Sequence, residues 1–405
     1  MSKICMITTS YPGVNNNQHD VAICHYFTRE WVKQGHEVVV YVVRSKFPRV
    51  YYTLLNMAPA LREKITQGSD VQDRITKPEV YNLDNVEVCS LPITKYIPHG
   101  RYPQSELAKT TNYIKKDLLK RNFVPDAIVG HWVNPSIHII SELKEAFPSA
   151  RTSITTHSGS YRSMIKATKG CEAMLSRVDY VGFRSPSNKR AFVDSCPFKV
   201  KDFYCYSGVS EMFLTEVGDN HSRFTDGPLS SFVFVGRLVS YKYPELVIQA
   251  LNDIYGNENF HLNFYGRKTD LYEKLLEQAS GMNLNSKVEF KGAVNRNEMP
   301  AALDNEQCLI MISKGEVFGM VYIEAMARGC IVIAGADSGV QEIIKHGENG
   351  FLCEPGNLEE LKSIIRHINS LSAVEKKKIS QNARLTAESL SDSSIADAYI
   401  QTVLG

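Results

Sequence analysis

The stretch Ser313-Lys314-Gly315-Glu316-Val317-Phe318-Gly319-Met320-Val321-Tyr322-Ile323-Glu324-Ala325-Met326-Ala327-Arg328-Gly329 sets two carboxylates around a Phe-Gly turn at the start of a helix. Just upstream, Cys308-Leu309-Ile310-Met311-Ile312 is a short apolar run of the kind found in a buried parallel strand. Ala325, Met326 and Ala327 are strong helix formers, and Gly329 stands where a C-terminal cap belongs, before the next apolar run Cys330-Ile331-Val332-Ile333. Strand, loop, helix, strand is a βαβ unit. In open α/β sheets, ligands bind at the carboxyl ends of the strands, where the free N–H groups and positive dipole end of a helix can hold a phosphate. Glu316 therefore falls in a binding loop, and Glu324 lies about one and a half turns into the helix at about 3.6 residues per turn. On spacing alone, two such glutamates are more often solvated charges on a helix that merely covers a sheet.

The same alternation of apolar runs and helical patterns extends in both directions. Strands are expected at 231–236, 260–266, 287–292, 308–313 and 330–335, which make one Rossmann-like domain, and at 3–9, 36–43, 126–131, 152–157 and 179–185, which make another doubly wound sheet. The fold class is α/β. A chain of 405 residues with 43% hydrophobic content suits two domains of about 200 residues each. The expected division is 1–212, completed by a C-terminal helix at about 389–405, and 213–388; the link should fall near 209–216. The last stretch carries Ile395, Ala396, Ala398, Tyr399, Ile400 and Val403 at helical spacing. Residues 44–110 show little alternation and are expected to form an excursion near a binding site.

Composition narrows the class further. The chain opens Met1-Ser2-Lys3 directly into the apolar run Ile4-Cys5-Met6-Ile7, without a charged leader and cleavage site, so a cytoplasmic protein is expected. No apolar stretch approaches the ~20 residues that span a bilayer. The nine cysteines include no C-x-x-C pair and several sit inside apolar runs, as reduced packing residues do. Net charge is +2, but residues 1–210 hold 28 Lys+Arg against 18 Asp+Glu and the remainder 18 against 26. The basic half has Arg44, Lys46 and Arg49 beside Tyr51, Tyr52 and Leu54, and Lys115, Lys116, Lys120 and Arg121 along a helical segment. Such stretches suit a peripheral contact with an anionic membrane surface, at about 1 kcal/mol per basic residue, or an ordinary solvated face. Nucleic acid is not the expected partner, because no binding motif accompanies the charge.

The two glutamates seven residues apart, the Phe-Gly between them and the following Glu-Ala-Met-Ala-Arg-Gly resemble the signature of retaining glycosyltransferases of the GT-B fold, family 4 (group 1) type. That resemblance implies two Rossmann-like domains with an interdomain cleft, and covers nearly the whole chain. Phe232-Val233-Phe234-Val235-Gly236-Arg237-Leu238 with Lys242 is similar to the family's diphosphate clamp, in which a forked Arg and a compact Lys charge meet the leaving group. The family has Gly after the lysine, whereas Tyr243 and Pro244 follow here. His131-Trp132 and Ser153-Ile154-Thr155-Thr156-His157 end two strands, the second like the family's active-site histidine. Gly266 and Val294 close strands whose loops would surround the base, and Gly339-Val340-Gln341-Glu342 continues the pattern. In the first loop the family shows paired glycines, of which only Gly13 is present; His19 and Asp20 are further polar candidates there.

The resemblance implies transfer of a hexosyl unit from a UDP- or GDP-linked sugar to an acceptor hydroxyl with retention. Its catalytic group would be Glu316, His157, Arg237 and Lys242, and its donor-binding group Gly13, Gly236, Gly266, Val294, Phe318, Gly319, Met320, Val321 and Glu324. Glu316 would reach sugar hydroxyls and Glu324 a ribose. No cofactor and no metal are expected, since no Asp-x-Asp pair suits a divalent ion on a diphosphate. The acceptor would be a glycan or lipid-linked species of bacterial cell-surface polysaccharide or lipid-linked glycan assembly. A small-molecule acceptor, or a nucleotide-sugar epimerase of the same fold, are the alternatives. The final helix would cross back onto the N-terminal domain.

Overall fold

Ile4 and Met6 face one side of the first strand and Cys5 and Ile7 the other, and all four are fully buried, so this strand lies inside a sheet covered on both faces. In the computed structural model, residues 1–13, 22–49, 76–97, 100–157, 161–215 and 223–405 are described. His19 and Asp20, Tyr51, Tyr52 and Leu54, and the end of the expected link at Glu216 lie outside the described residues.

The chain forms two compact units: residues 1–184, 188–206 and 395–405, and residues 185–187 and 207–394. The first is built on strands Lys3–Thr8 (β1), Glu37–Lys46 (β2), Glu79–Leu83 (β3), Val86–Thr94 (β4), Ala127–His131 (β5), Arg151–Thr156 (β6), Tyr180–Phe183 (β7) and Asp202–Tyr204 (β8). Their order is β3-β4-β2-β1-β5-β6-β7-β8, parallel throughout except for the β3–β4 pair. One face is packed by Leu107, Ile114 and Leu118 of helix Gln104–Lys120 and by Ile137, Ile140 and Leu143 of helix Val133–Ala146. The other carries Phe27 and Trp31 of helix Ile23–Lys33 together with Ala396, Tyr399, Ile400 and Val403 of helix Asp392–Leu404. Trp31 Nε1 donates to the Ala396 carbonyl at 2.8 Å, which satisfies the one polar atom of a fully buried indole.

The second unit holds Ser231–Val235 (β9), His261–Tyr265 (β10), Val288–Gly292 (β11), Cys308–Met311 (β12), Ile331–Gly335 (β13) and Phe351–Cys353 (β14) in the all-parallel order β11-β10-β9-β12-β13-β14. Helix Met320–Ala327 is buried along Tyr322–Ala327, and Gly329 follows it at φ +75°, the left-handed position that ends a helix.

Both sheets wind outward in opposite directions from an inner pair, β1/β5 in one and β9/β12 in the other. The loops beyond these pairs diverge, and such switch points are where doubly wound folds open a crevice. The sequence reading needs one correction. The described part of 44–110 is not an excursion: β2 runs on to Lys46, the β3–β4 hairpin widens the sheet, and a helix begins at Gln104. Asp84 and Asn85, at φ +50° and +63°, make its tight turn. Pro92 interrupts the apolar reading of β4, and β3 is an exposed edge that needs no apolar pattern.

Candidate active site

The β9/β12 switch point gathers the second unit's polar residues. Gly236 follows the end of β9, and β10 leaves beside it so closely that a Cβ on Gly266 would lie 1.9 Å from the Gly236 carbonyl oxygen, so that position takes only glycine. Arg237 follows with Nη2 donating to Tyr241 Oη at 3.0 Å. A single 3-10 turn, Ser240–Lys242, then turns the chain back, and Tyr243 takes φ +51°, ψ +45° before Pro244 opens the next helix. A left-handed residue here explains why glycine suits this position elsewhere in such loops; Tyr243 accepts it while its ring packs about Gly356.

From the other strand, β12 leads into the loop that carries Glu316. Lys314 N–H donates to the Tyr241 carbonyl and Gly339 N–H to the Glu316 carbonyl, both at 2.8 Å. The loop is thus tied on both sides. Glu316 Oε2 lies 2.8 Å from Lys242 Nζ, which also touches Met311 Sδ at 3.6 Å. Phe318 is buried, and Gly319, at φ +80°, caps the helix that begins at Met320, with Met320 and Val321 on its first turn. Tyr322 Oη donates to the Met311 carbonyl at 2.7 Å and so fixes that helix to β12. Glu324, one turn on, is buried. Its Oε1 lies 2.5 Å from Arg296 Nη2, which comes from the loop beyond Val294. Burial pushes the Glu324 carboxyl up and Arg296 opposes it.

In the first unit, His131 ends β5 and His157 follows β6, and the register that pairs His131 with Thr155 brings the two rings together. His131 Nδ1 and His157 Nε2 are 2.8 Å apart. Trp132, at the strained φ of +59°, stacks on His157 with ring centroids 3.9 Å apart and planes 9° from parallel. Burial pushes His131 down to about 3, with the Arg184 charge adding; burial, His131 and Arg184 hold His157 well below the ordinary imidazole range. Both rings are neutral at neutral pH. Gly13 lies in the loop after β1, held by Arg44 donating to the Tyr11 carbonyl and Tyr81 Oη to that of Pro12, each at 2.8 Å.

Among the described residues, no group of three or more His, Cys, Asp or Glu side chains is placed to hold a metal, and no helix is long and apolar enough to cross a membrane. All nine cysteines are free thiols.

Residues 224–386 match the family described as glycosyl transferases group 1. This part of the chain belongs to that family. Over 166 residues the chain is 32% identical to an uncharacterised glycosyltransferase of Methanocaldococcus jannaschii, a match that covers 41% of this chain and 43% of that one. The chain thus spans less than half the length of that relative. Sucrose-phosphate synthase from Thermosynechococcus elongatus superposes with a TM-score of 0.68 at 16% identity, over 99% of this chain and 98% of its own. HepE of Anabaena, in a complex with UDP, does so at 0.67 and 17%, over 99% of both. At this identity the likeness shows the fold, GT-B.

In the group 1 domain, the sequence-derived residues Gly236, Arg237, Lys242, Gly266, Glu316, Phe318, Gly319, Met320 and Val321 gather about the β9/β12 switch, and Glu324 is met by Arg296, two residues beyond Val294 in the chain. His157 and Gly13 belong to the other unit. Sequence reading missed Arg296, Tyr241 and the bond from His131 to His157. For Arg296 the one local signal was its place two residues beyond Val294.

Proposed function

We propose that the chain is a retaining hexosyltransferase that takes its sugar from a UDP- or GDP-linked donor and passes it to an acceptor hydroxyl. The observation that carries this is the Lys242–Glu316 pair at the β9/β12 switch point, a cation and a carboxylate held side by side at the mouth of a group 1 sheet. In this reading Arg237, Lys242 and the helix N-terminus after Gly319 meet the diphosphate, and Glu316 turns to the sugar hydroxyls. The bond from the anomeric carbon to the diphosphate oxygen breaks, the acceptor oxygen bonds to that carbon on the same face, and the acceptor proton passes to the leaving phosphate. His157 offers a fixed polar atom to the sugar. Arg237 and Lys242 neutralise the negative charge that develops on the diphosphate, in place of a metal.

Residues 213–388 would bind the donor, and residues 1–212 with the helix at about 389–405 would serve the acceptor, a glycan or lipid-linked species of surface polysaccharide or lipid-linked glycan assembly. The enzyme would work in the cytoplasm, with its basic N-terminal half against the inner membrane face. HepE, seen with UDP, supports a nucleotide-sugar donor.

Thermal-shift screening with UDP, GDP and their sugar conjugates, with and without EDTA, tests the donor, because ligand binding raises stability by mass action. A selective, EDTA-resistant shift followed by transfer to a glycan or lipid acceptor supports the proposal. Inversion at a sugar carbon of the donor without any acceptor would make the protein an epimerase, and no shift with any nucleotide would withdraw the reading.

A further inference from the structure

Arg296 stands at the group 1 site although neither the motif nor the proposed reaction requires it. It sits in a 3-10 turn, Arg296–Glu298, whose capping box has Asn295 and Glu298 bonding each other's backbone. Its guanidinium lies over the ring of buried Phe213, 5.5 Å from the centroid. An Arg set on an aromatic face loses little freedom when it meets a carboxylate. That carboxylate is Glu324, only 5% exposed, in a helix whose other residues from Tyr322 onward are apolar.

A lone carboxylate in such a place would take up a proton, since burial penalises the charged form. The protonated acid is a poorer partner for a diol: it has one donor of its own and fewer free lone pairs, whereas the carboxylate accepts from two hydroxyls at once. Charge also makes each of those hydrogen bonds about twice as strong. Arg296 Nη2 approaches Glu324 Oε1 to 2.5 Å and that oxygen is buried against it. The charge is compensated at Oε1, while the other carboxylate oxygen, Oε2, accepts no hydrogen bond from a described residue and is left for a ligand.

We propose that Arg296 is a positioning residue that keeps Glu324 ionised and aimed, so that this carboxylate accepts from the vicinal ribose hydroxyls of a nucleoside diphosphate. The inference rests on the nucleotide-sugar reading above, and deepens it: Arg296 acts on the nucleotide through Glu324 and through the ribose, not through the phosphates or the base.

The test compares UDP and GDP with their 2′,3′-dideoxy counterparts, by calorimetry on the full chain. Wild type is expected to prefer the ribonucleotide clearly. Arg296→Met, which keeps the packing on Phe213 but not the charge, should weaken the ribonucleotide by about tenfold to a hundredfold and the dideoxy compound by less than about twofold. Arg296→Lys should restore most of the preference. Equal losses for both ligands would mean that Arg296 meets the phosphates or only supports the loop, and tighter binding by Arg296→Met would mean that it competes with the ribose; either overturns the proposal. Should Arg296→Met not fold, Glu324→Gln decides. A ribose preference that survives in it shows that Glu324 does not read the diol. Failure of wild type to bind any nucleotide would sink the nucleotide-sugar reading itself, whereas binding without a ribose preference sinks this inference alone.

Discussion

Lys242 Nζ and Glu316 Oε2 stand 2.8 Å apart, with only 12% and 22% of their side chains exposed. The cation that follows β9 and the carboxylate that follows β12 neutralise each other across the switch point, so neither is left as an unpaired charge in a half-buried place. A diphosphate would compete with the carboxylate for the lysine, and sugar hydroxyls with the lysine for the carboxylate. Both partners can therefore be released together by one donor.

Glu316→Gln removes the charge but keeps the shape. Sugar transfer is expected to fall by orders of magnitude, while affinity for the bare nucleoside diphosphate holds or rises as Lys242 is freed. Stability should fall by about 1–3 kcal/mol, because Lys242 is left without its carboxylate in a half-buried place. Calorimetry with UDP and GDP beside a turnover assay separates the two effects. Near-normal turnover would remove Glu316 from the site.

Arg237→Ala should differ from Glu316→Gln in nucleotide affinity. Arg237 donates to Tyr241 Oη on an exposed loop, so its loss costs the fold little, within about 1 kcal/mol. Diphosphate affinity and transfer should fall together. A variant with weakened transfer but unchanged nucleotide affinity would show that Arg237 does not meet the diphosphate.

Gly339→Ala tests the loop that carries Glu316. A Cβ there would lie 2.1 Å from the Val317 carbonyl oxygen and 2.4 Å from Phe318 Cα, both backbone atoms that cannot swing aside. The Gly339 N–H bond to the Glu316 carbonyl would stretch. A loss of about 1–3 kcal/mol in urea titration is expected, as for overpacked sites, with turnover falling further than nucleotide affinity.

His131 gives a pH signature. Its folded pKa is depressed to about 3 from an ordinary 6.5, so the unfolded chain takes up the proton first. Its contribution to stability is full above about pH 6.5 and is lost as pH falls toward 3, with a slope of up to about 1.4 kcal/mol per pH unit. His131→Asn, which keeps an amide N–H beside His157, should flatten that slope relative to wild type in urea melts across acidic pH. Parallel slopes would show that His131 is not held neutral.

Tyr399 joins the last helix to the first sheet. It is packed edge-on to Phe27 and Trp31, and its hydroxyl reaches Ser153 Oγ at 3.3 Å. Tyr399→Ala is expected to cost about 3–5 kcal/mol, as other buried aromatic truncations do. A smaller change would mean that the helix is not needed to close that face of the core.

The inner strands were legible because each is an apolar run closed by Gly or a polar residue: β1, β5, β9, β10, β12 and β13 can be read from the chain within a residue or two. The helix after Gly319 and its end at Gly329 were legible for the same local reason, since glycine is what a left-handed cap position requires. The missed strands are of another kind. β3 and β8 are exposed edges and β14 is three residues long, so none of these needs the pattern by which buried strands are found, whereas β4 is buried over most of its length but has its apolar run interrupted by Pro92. The role of Tyr243 was half legible: the departure from glycine was visible, but not that tyrosine would adopt the left-handed backbone there.

What the sequence determined by itself is which residues face a core and which stand at strand ends, because burial periodicity and caps act over a few neighbouring residues. It therefore placed Arg237, Lys242, Glu316 and His157 in loops at the ends of parallel strands. Which ends lie together was decided by tertiary structure. The order β11-β10-β9-β12 puts Lys242 against Glu316, the turn after Val294 lays Arg296 on Glu324, and the register of β5 with β6 seats His157 on His131. Strand order and register are set by how helices of both faces pack across a whole sheet, which no local stretch of chain encodes.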